Sequence, residues 1–393
     1  MRWNDEQRAL RDAAEQAGRA VGADHLERDA RGEFSWDGWK RLRETGLFGL
    51  PFPEGHGGLG RDLPTTMYVL EGLGYACRDA GLIFSACTHL VSTGVPLHRF
   101  GRAALRERYL PQIVAGTMIG AHAITEPAGG SDVTNMATTA VAEDDHFVLT
   151  GSKAFVSNGP IADLVVVYAR TGRPGSAAAV TAFLVRSDSP GLQVGGPVGK
   201  MGLRTSPLSE LFLDGVRVPR DHVVGSVGAG LLVLDAVMRW EILCGFAGVL
   251  GEMQHRLERC VEYARTRTQF GAAIGSYQSV SNRLVDMRID LETSRKWLYD
   301  TAERMAAGEN VATDVAITKL VVSESNVRSA LAAVQVFGGY GYTTEYGLEK
   351  DLRNAVSGTI YSGTSEIQRQ RVAALMGLGR TAPARSTTGE REA

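Results

Sequence analysis

Cysteine is scarce in this chain: Cys77, Cys87, Cys244 and Cys260 are the only four in 393 residues, and no two of them form a C-x-x-C pair. Each sits among apolar neighbours, which suits reduced core thiols and speaks against a disulfide scaffold. None of the eight histidines pair at metal-ligand spacing, so no metal site is expected. Runs of one charge sign are also missing. The 42 Lys and Arg against 44 Asp and Glu leave a formal net charge of −2, and with no basic tract to follow a phosphate backbone, nucleic acid is not an expected partner. Long apolar runs are lacking, the best, GLLVLDAVMRW, being broken by Asp235 and Arg239, so no membrane partner is expected. The opening MRWNDEQRALRDAAEQAGRAV carries charge through every turn and has no h-region. It reads as an amphipathic helix, and the expected location is cytoplasmic.

What is present divides the chain in three. A length of 393 residues exceeds what one hydrophobic core usually spans. Residues 1–120 show apolar positions recurring at three and four, as in TTMYVLEGLGYACRDAGLIFSACTHLV, and form a helical domain. Across 121–225 the segments HFVLTGSKAFVSN, DLVVVYA, AAVTAFLV and SELFLDGVRVP are short, rich in Val, Phe and Thr, and separated by turn residues, as expected of a β domain. The helical period returns over 226–378 in long runs with few breakers, a bundle. The tail, 379–393, lacks aromatic and large aliphatic residues and is expected to be disordered. The fold class is therefore α+β.

GHGGLG, Gly55 to Gly60, matches the G-x-G-x-x-G phosphate-binding pattern. That turn must follow a buried strand and open a helix. Here Pro51 and Pro53 precede it and Pro64 follows, so it reads as an interhelical loop.

Glu241 stands out in the long helix beginning near Gly230. Its neighbours one turn away are Val237, Met238, Cys244 and Gly245, an apolar and small face on which a carboxylate is costly unless it is paired, reaches solvent or has a task. Glu252, by contrast, has Arg256 at i+4 and reads as a solvated ion pair. Gly245 and Gly248 signal close approach by something, a flat cofactor or a thin acyl chain among the options.

Six strings in order, AHAITEPAGGSD, KAFVSNGP, KMGLRTSPLSELFLDGVRVP, RTRTQFG, QVFGGYGYTTEYGLEKDLRNA and IYSGTSEIQR, together resemble the acyl-CoA dehydrogenase family over nearly the whole chain. The resemblance implies a central β-barrel-like domain, a C-terminal four-helix bundle, and FAD held between them. It implies flavin contacts from Ile124, Thr125 and Ser131, stacking by Phe155 and an approach to N5 by Ser157. Arg267, Gln269, Phe270, Gln278, Gln335, Gly338 and Gly339 would hold the FAD of a neighbouring subunit, with Thr364 and Glu366 also near the cofactor. A homo-oligomer, a dimer of dimers, follows from that sharing.

Many members of the family carry their catalytic glutamate in Tyr-Glu-Gly-Thr, where this chain reads Tyr361-Ser362-Gly363-Thr364. A serine cannot abstract a thioester α-proton. A branch that includes isovaleryl-type enzymes supplies its glutamate from the long helix instead. Alignment on Ala247-Gly248-Val249-Leu250-Gly251 puts Glu241 at that position, followed by Ile242 where relatives have arginine. The expected substrate contacts are Ser131, Ser362 and Gly363, and the expected activity is α,β-dehydrogenation of an acyl thioester on a carrier protein or on CoA. The electron acceptor would be an electron-transfer flavoprotein or oxygen. A flavin monooxygenase or a catalytically silent member on the same scaffold are the other readings.

Overall fold

The computed structural model describes residues 2–176 and 178–378. The tail expected to be disordered lies outside them. The first region contains α1 (Asp5–Val21), α2 (His25–Arg31), α3 (Trp36–Glu44), α4 (Leu63–Ala76), α5 (Ala80–Thr88), a π-helical turn (His89–Gly94), α6 (Val95–Phe100) and α7 (Ala103–Val114). Asn4 starts α1 by accepting from the Gln7 amide while the Gln7 side chain returns to the Asn4 amide, a reciprocal cap. The stretch Ala80–Phe100 is long and apolar enough to cross a bilayer, which the sequence reading overlooked, but 89% of its 18-residue apolar window is buried within the protein. It is the core of this region. GHGGLG is a loop: its Leu59 and Gly60 amides, and that of Arg61 just after it, donate to the Gly49, Phe52 and Leu50 carbonyls of the segment just before it.

The sheet consists of β1 (Gly120–Ala123), β2 (Thr139–Ala142), β3 (His146–Ser157), β4 (Leu164–Arg170), β5 (Val180–Arg186), β6 (Leu192–Val194), β7 (Leu208–Pro219) and β8 (Val223–Val224). Its order is β6-β7-β3-β2-β4-β5-β8, with β1 parallel to β4. The two kinds of strand follow from burial. In β7 buried and exposed positions largely alternate, because one face meets water. In β4, LVVVYA is buried throughout: Val165, Val167 and Ala169 join the sheet's own core, while Leu164, Val166 and Tyr168 join the core shared with the helices. This two-sided strand locks the β domain to the helices that carry the site.

The third region is built on α8 (Gly230–Thr266), α9 (Gln278–Ala306) and α10 (Ala312–Phe337), with α11 (Gly339–Tyr342), α12 (Leu348–Ser357) and α13 (Ser365–Leu375) following; the strands β9 (Thr268–Gln269) and β10 (Ala272–Ala273) form a hairpin after α8. Helices α4 and α8 cross with almost no gap. A Cβ on Gly74 would lie 2.0 Å from the Gly248 carbonyl oxygen, and one on Gly251 would lie 2.1 Å from that of Glu71. The close approach inferred at Gly248 is thus made by α4 and not by a ligand. Gly245 differs: a Cβ there would meet nothing within 4 Å.

Candidate active site

Glu241 projects from α8 into a polar triangle that its own helix does not reveal. Ser362 Oγ donates to its Oε1 at 2.5 Å, Ser92 Oγ donates to its Oε2 at 3.1 Å, and His122 Nε2 lies 3.5 Å from Oε2. The expectation of purely apolar company is corrected by residues 149 and 121 positions away in the chain, which α8 sequence neighbours cannot report. The Glu241 side chain is only 15% exposed, so these donors replace most of the water it gives up.

Both serine donors are themselves held. Ser92 lies in the π-helical turn, which His89 fastens from both ring nitrogens: the Gly120 amide donates to Nδ1 at 3.0 Å and Nε2 faces the Ile113 carbonyl at 2.9 Å. These partners assign the neutral ring with its proton on Nε2. Thr93 Oγ1 adds a bond to the Ala121 carbonyl beside His122. Ser362 sits at φ +54 and Gly363 at φ +87, a left-handed pair. Gln368 Nε2 donates to the Ser362 carbonyl and Thr364 caps α13 through the Ile367 amide, which fixes this turn. The Ser362 amide donates to no protein acceptor among the described residues.

The neutral state of His89 has a measurable consequence. Burial lowers its pKa from 6.5 to about 4. As pH falls through that window the unfolded chain takes up a proton that the folded chain refuses, so stability present above 6.5 is lost toward 4. The loss from this group approaches about 3 kcal/mol. Chemical denaturation across this range should show a steep acid decline in the wild type and a shallower one in His89→Gln; equal slopes would mean that His89 does not carry the effect.

Phe155 lies at a bulge where the pairing of β3 with β7 shifts between Lys153 and Val156. It adopts φ +55 and is 65% exposed. Beside it, the Ala154 amide donates to the Thr125 carbonyl, and Lys153 Nζ reaches the Ile124 carbonyl at 3.0 Å and Glu126 Oε1 at 2.8 Å. Glu126 also accepts from the Ala137 and Thr138 amides. Burial by itself would raise the Glu126 carboxyl, but the bonds from Lys153 and Thr138 outweigh it and hold its pKa down; burial lowers that of Lys153. Ile124, Thr125 and Phe155 are thereby brought together, with Ser157 two residues on in β3 and Ser131 exposed in the following loop.

A second group lies elsewhere. Arg267, Gln269 and Phe270 occupy the exposed end of α8 and its hairpin, Gln278 opens α9, and Gln335, Gly338 and Gly339 form the exposed end of α10. Arg267 lies over the Tyr340 ring at 5.9 Å, joining the two ends. Phe270 is 97% exposed at φ +50. Thr364 and Glu366 sit at the start of α13, on the Ser362 side.

One reading drawn from helix spacing is corrected. Glu252 is not in a solvated pair with Arg256, because Arg256 turns to Asn326 Oδ1 at 2.9 Å and to Ser329 Oγ. Glu252, half-buried, instead lines a small cavity, and desolvation pushes its carboxyl up to about 7. The roles of Ser92, His122, Glu126 and Lys153 were not anticipated. The lysine directly before the apolar run AFV of β3 was the one local signal.

The comparisons settle the family. The acyl-CoA dehydrogenase N-terminal, middle and C-terminal domain profiles match residues 4–117, 121–216 and 228–377. The chain belongs to the acyl-CoA dehydrogenase family. It is 39% identical over 340 residues to an L-prolyl-[peptidyl-carrier protein] dehydrogenase of Serratia sp., covering 86% of this chain and 88% of that one. It is 34% identical to an acyl-CoA dehydrogenase of Bacillus subtilis, over 86% of this chain and 88% of the other. Among solved structures, the prolyl acyl carrier protein oxidase AnaB superposes with a TM-score of 0.94 at 38% identity, covering 96% of this chain and all of AnaB. PigA with FAD and proline gives a TM-score of 0.93 at 36% identity, over 96% and 99% of the two chains. The family member described here is an FAD-dependent oxidoreductase acting on an acyl thioester.

Proposed function

We propose that the enzyme desaturates the Cα–Cβ bond of an acyl group held as a thioester on a carrier protein, with Glu241 as the base. The observation that carries the assignment of the base is its triangle of contacts, with serine at 362 donating to Glu241. The Glu241 carboxylate takes the α-proton, and the Cα–H electron pair becomes the new double bond as hydride leaves the β-carbon. Bound FAD supplies the acceptor for that hydride. Ser92 and Ser362 hold the carboxylate in one orientation, and the free Ser362 amide is placed to donate to the thioester carbonyl as negative charge develops there.

The chain fits a flat ring and a diphosphate. Phe155 offers an exposed aromatic face over a strained backbone, beside the carbonyls of Ile124 and Thr125. At Gly338 and Gly339 an added Cβ would meet nothing in this chain, leaving room at their backbone for a group from outside. Glu241 and Arg267 are 26 positions apart on one helix and its cap, about 39 Å along the axis. We assign the Phe155 group and the Arg267 group to the FAD sites of two subunits in a dimer of dimers located in the cytoplasm, with Thr364 and Glu366 completing the cofactor site and Ser131 and Gly363 lining the substrate path.

Support for the carrier comes from the relatives named for prolyl-carrier-protein oxidation. A carrier protein keeps the phosphopantetheine arm and replaces the CoA nucleotide with a folded surface, so an enzyme adapted to it gains transition-state stabilisation from that surface. The test is kcat/KM for one acyl group on CoA and on carrier proteins. At least a tenfold preference for a carrier is expected; equal or better turnover of the CoA ester would leave an acyl-CoA dehydrogenase of short or branched chains.

A further inference from the structure

The mechanism does not use Glu252, yet it is a carboxyl on the substrate side of α8. Glu241, Gly245, Val249 and Glu252 are spaced i, i+4, i+8 and i+11, which places them along one stripe of the helix. The cavity has Gly245, Val249 and Glu252 on one wall and Tyr361 with Phe84 and Cys87 opposite. Its near end adjoins the reacting centre, since Gly245 lies one turn beyond Glu241 and Tyr361 directly precedes Ser362. Its volume is about 30 Å³, room for one or two water-sized groups.

Within this wall Glu252 has no protein partner. It makes no hydrogen bond and no ion pair among the described residues, although Arg256 is one turn away. Arg256 is engaged by Asn326 and Ser329, and its Nε lies 3.7 Å from Asp351. Arg78 and Lys350 also converge on Asp351, at 2.9 and 3.6 Å. Asn326, Asn354 and Ser357 also line the cavity but none bonds to Glu252, and a carboxyl opening onto so small a space without a partner is costly unless something polar enters. The charge behind it decides what kind of group. Arg78, Arg256 and Lys350 face a single Asp351, so the surroundings already hold a surplus of positive charge and disfavour a second cation.

We infer that Glu252 is a specificity-determining residue at the far end of the acyl pocket, selecting acyl groups that carry a neutral O–H or N–H donor there over plain hydrocarbon ends. This rests on the thioester reading of the site above. A hydrocarbon end would strand the carboxyl, whereas a donor satisfies it, and a site built around a hydrogen bond rejects the analogue that lacks it.

The experiment uses the FAD-loaded enzyme and pantetheine thioethers, which cannot be oxidised as the thioesters are, in pairs of equal length ending in methyl or in hydroxyl. Binding is followed by the change in flavin absorbance. The wild type should bind the hydroxyl-ended member at least tenfold more tightly, Glu252→Leu should reverse the order, and Glu252→Gln should keep it. Preference for the methyl-ended member in the wild type, or an unchanged ratio in Glu252→Leu, would overturn the inference. Because binding alone is read, these outcomes hold whether or not the matching thioesters bleach the flavin; a failure to bleach would count against the dehydrogenation reading instead.

Discussion

Glu241→Gln should retain FAD and lose about 10³-fold in the rate at which a thioester bleaches the flavin under anaerobic mixing. The amide preserves the size of the side chain and can accept from one of the two serines through its oxygen while donating from its NH2 to the hydroxyl oxygen of the other, so the fold and the cofactor site are kept. What it cannot do is take a proton from carbon. In a site where Glu241 is only 15% exposed, bulk water has little access to serve instead. Adding Ser362→Glu to this variant should restore a measurable part of the rate, since the Ser362 hydroxyl already touches the position where the carboxylate works. A Glu241→Gln enzyme that bleaches at the wild-type rate would remove Glu241 from the chemistry.

The reason Glu241 could be singled out from sequence is that a carboxylate among Val237, Met238 and Cys244 breaks the helical pattern around it. Its partners could not be found that way. Ser92 and His122 reach it only because the parallel pairing of β1 with β4 and the π-helical turn bring distant segments together, and no local spacing encodes that. Glu252 was misread for the converse reason: the i+4 rule describes helix faces in water, and here Asn326, Ser329 and Asp351 draw Arg256 inward. Regular elements were more legible, because the switch from a period near 3.6 to short Val-rich segments and back marks the three regions directly. The run DLVVVYA marked β4 as a strand, but its double role emerges only from the helices packed on its second face.

Breaking the Lys153–Glu126 pair should be the most damaging change outside the reacting centre. Lys153 is completely buried and Glu126 is 6% exposed. Glu126→Gln leaves a buried ammonium without its counter-charge, and Lys153→Met leaves the carboxylate with only the Ala137 and Thr138 amides. Each should cost about 3–5 kcal/mol of stability in denaturant unfolding at fixed FAD concentration. Because the pair fastens the Ile124–Thr125 segment to the strand bearing Phe155, FAD affinity should fall with it. The double replacement by Leu at 126 and Met at 153 should recover part of the loss, since no uncompensated charge then remains. A cost under about 1 kcal/mol for either single change would show that water reaches the pair.

The central claim is that the α-proton is removed as the flavin is reduced by a thioester. It is tested most directly by mixing the oxidised wild-type enzyme anaerobically with a carrier-bound acyl thioester, either unlabelled or deuterated at the α-carbon. The account predicts that the yellow absorbance bleaches with no external reductase and that α-deuteration slows the bleaching by a primary isotope effect. Reduction only by an added reductase, or bleaching with no isotope effect at the α-carbon, would contradict it.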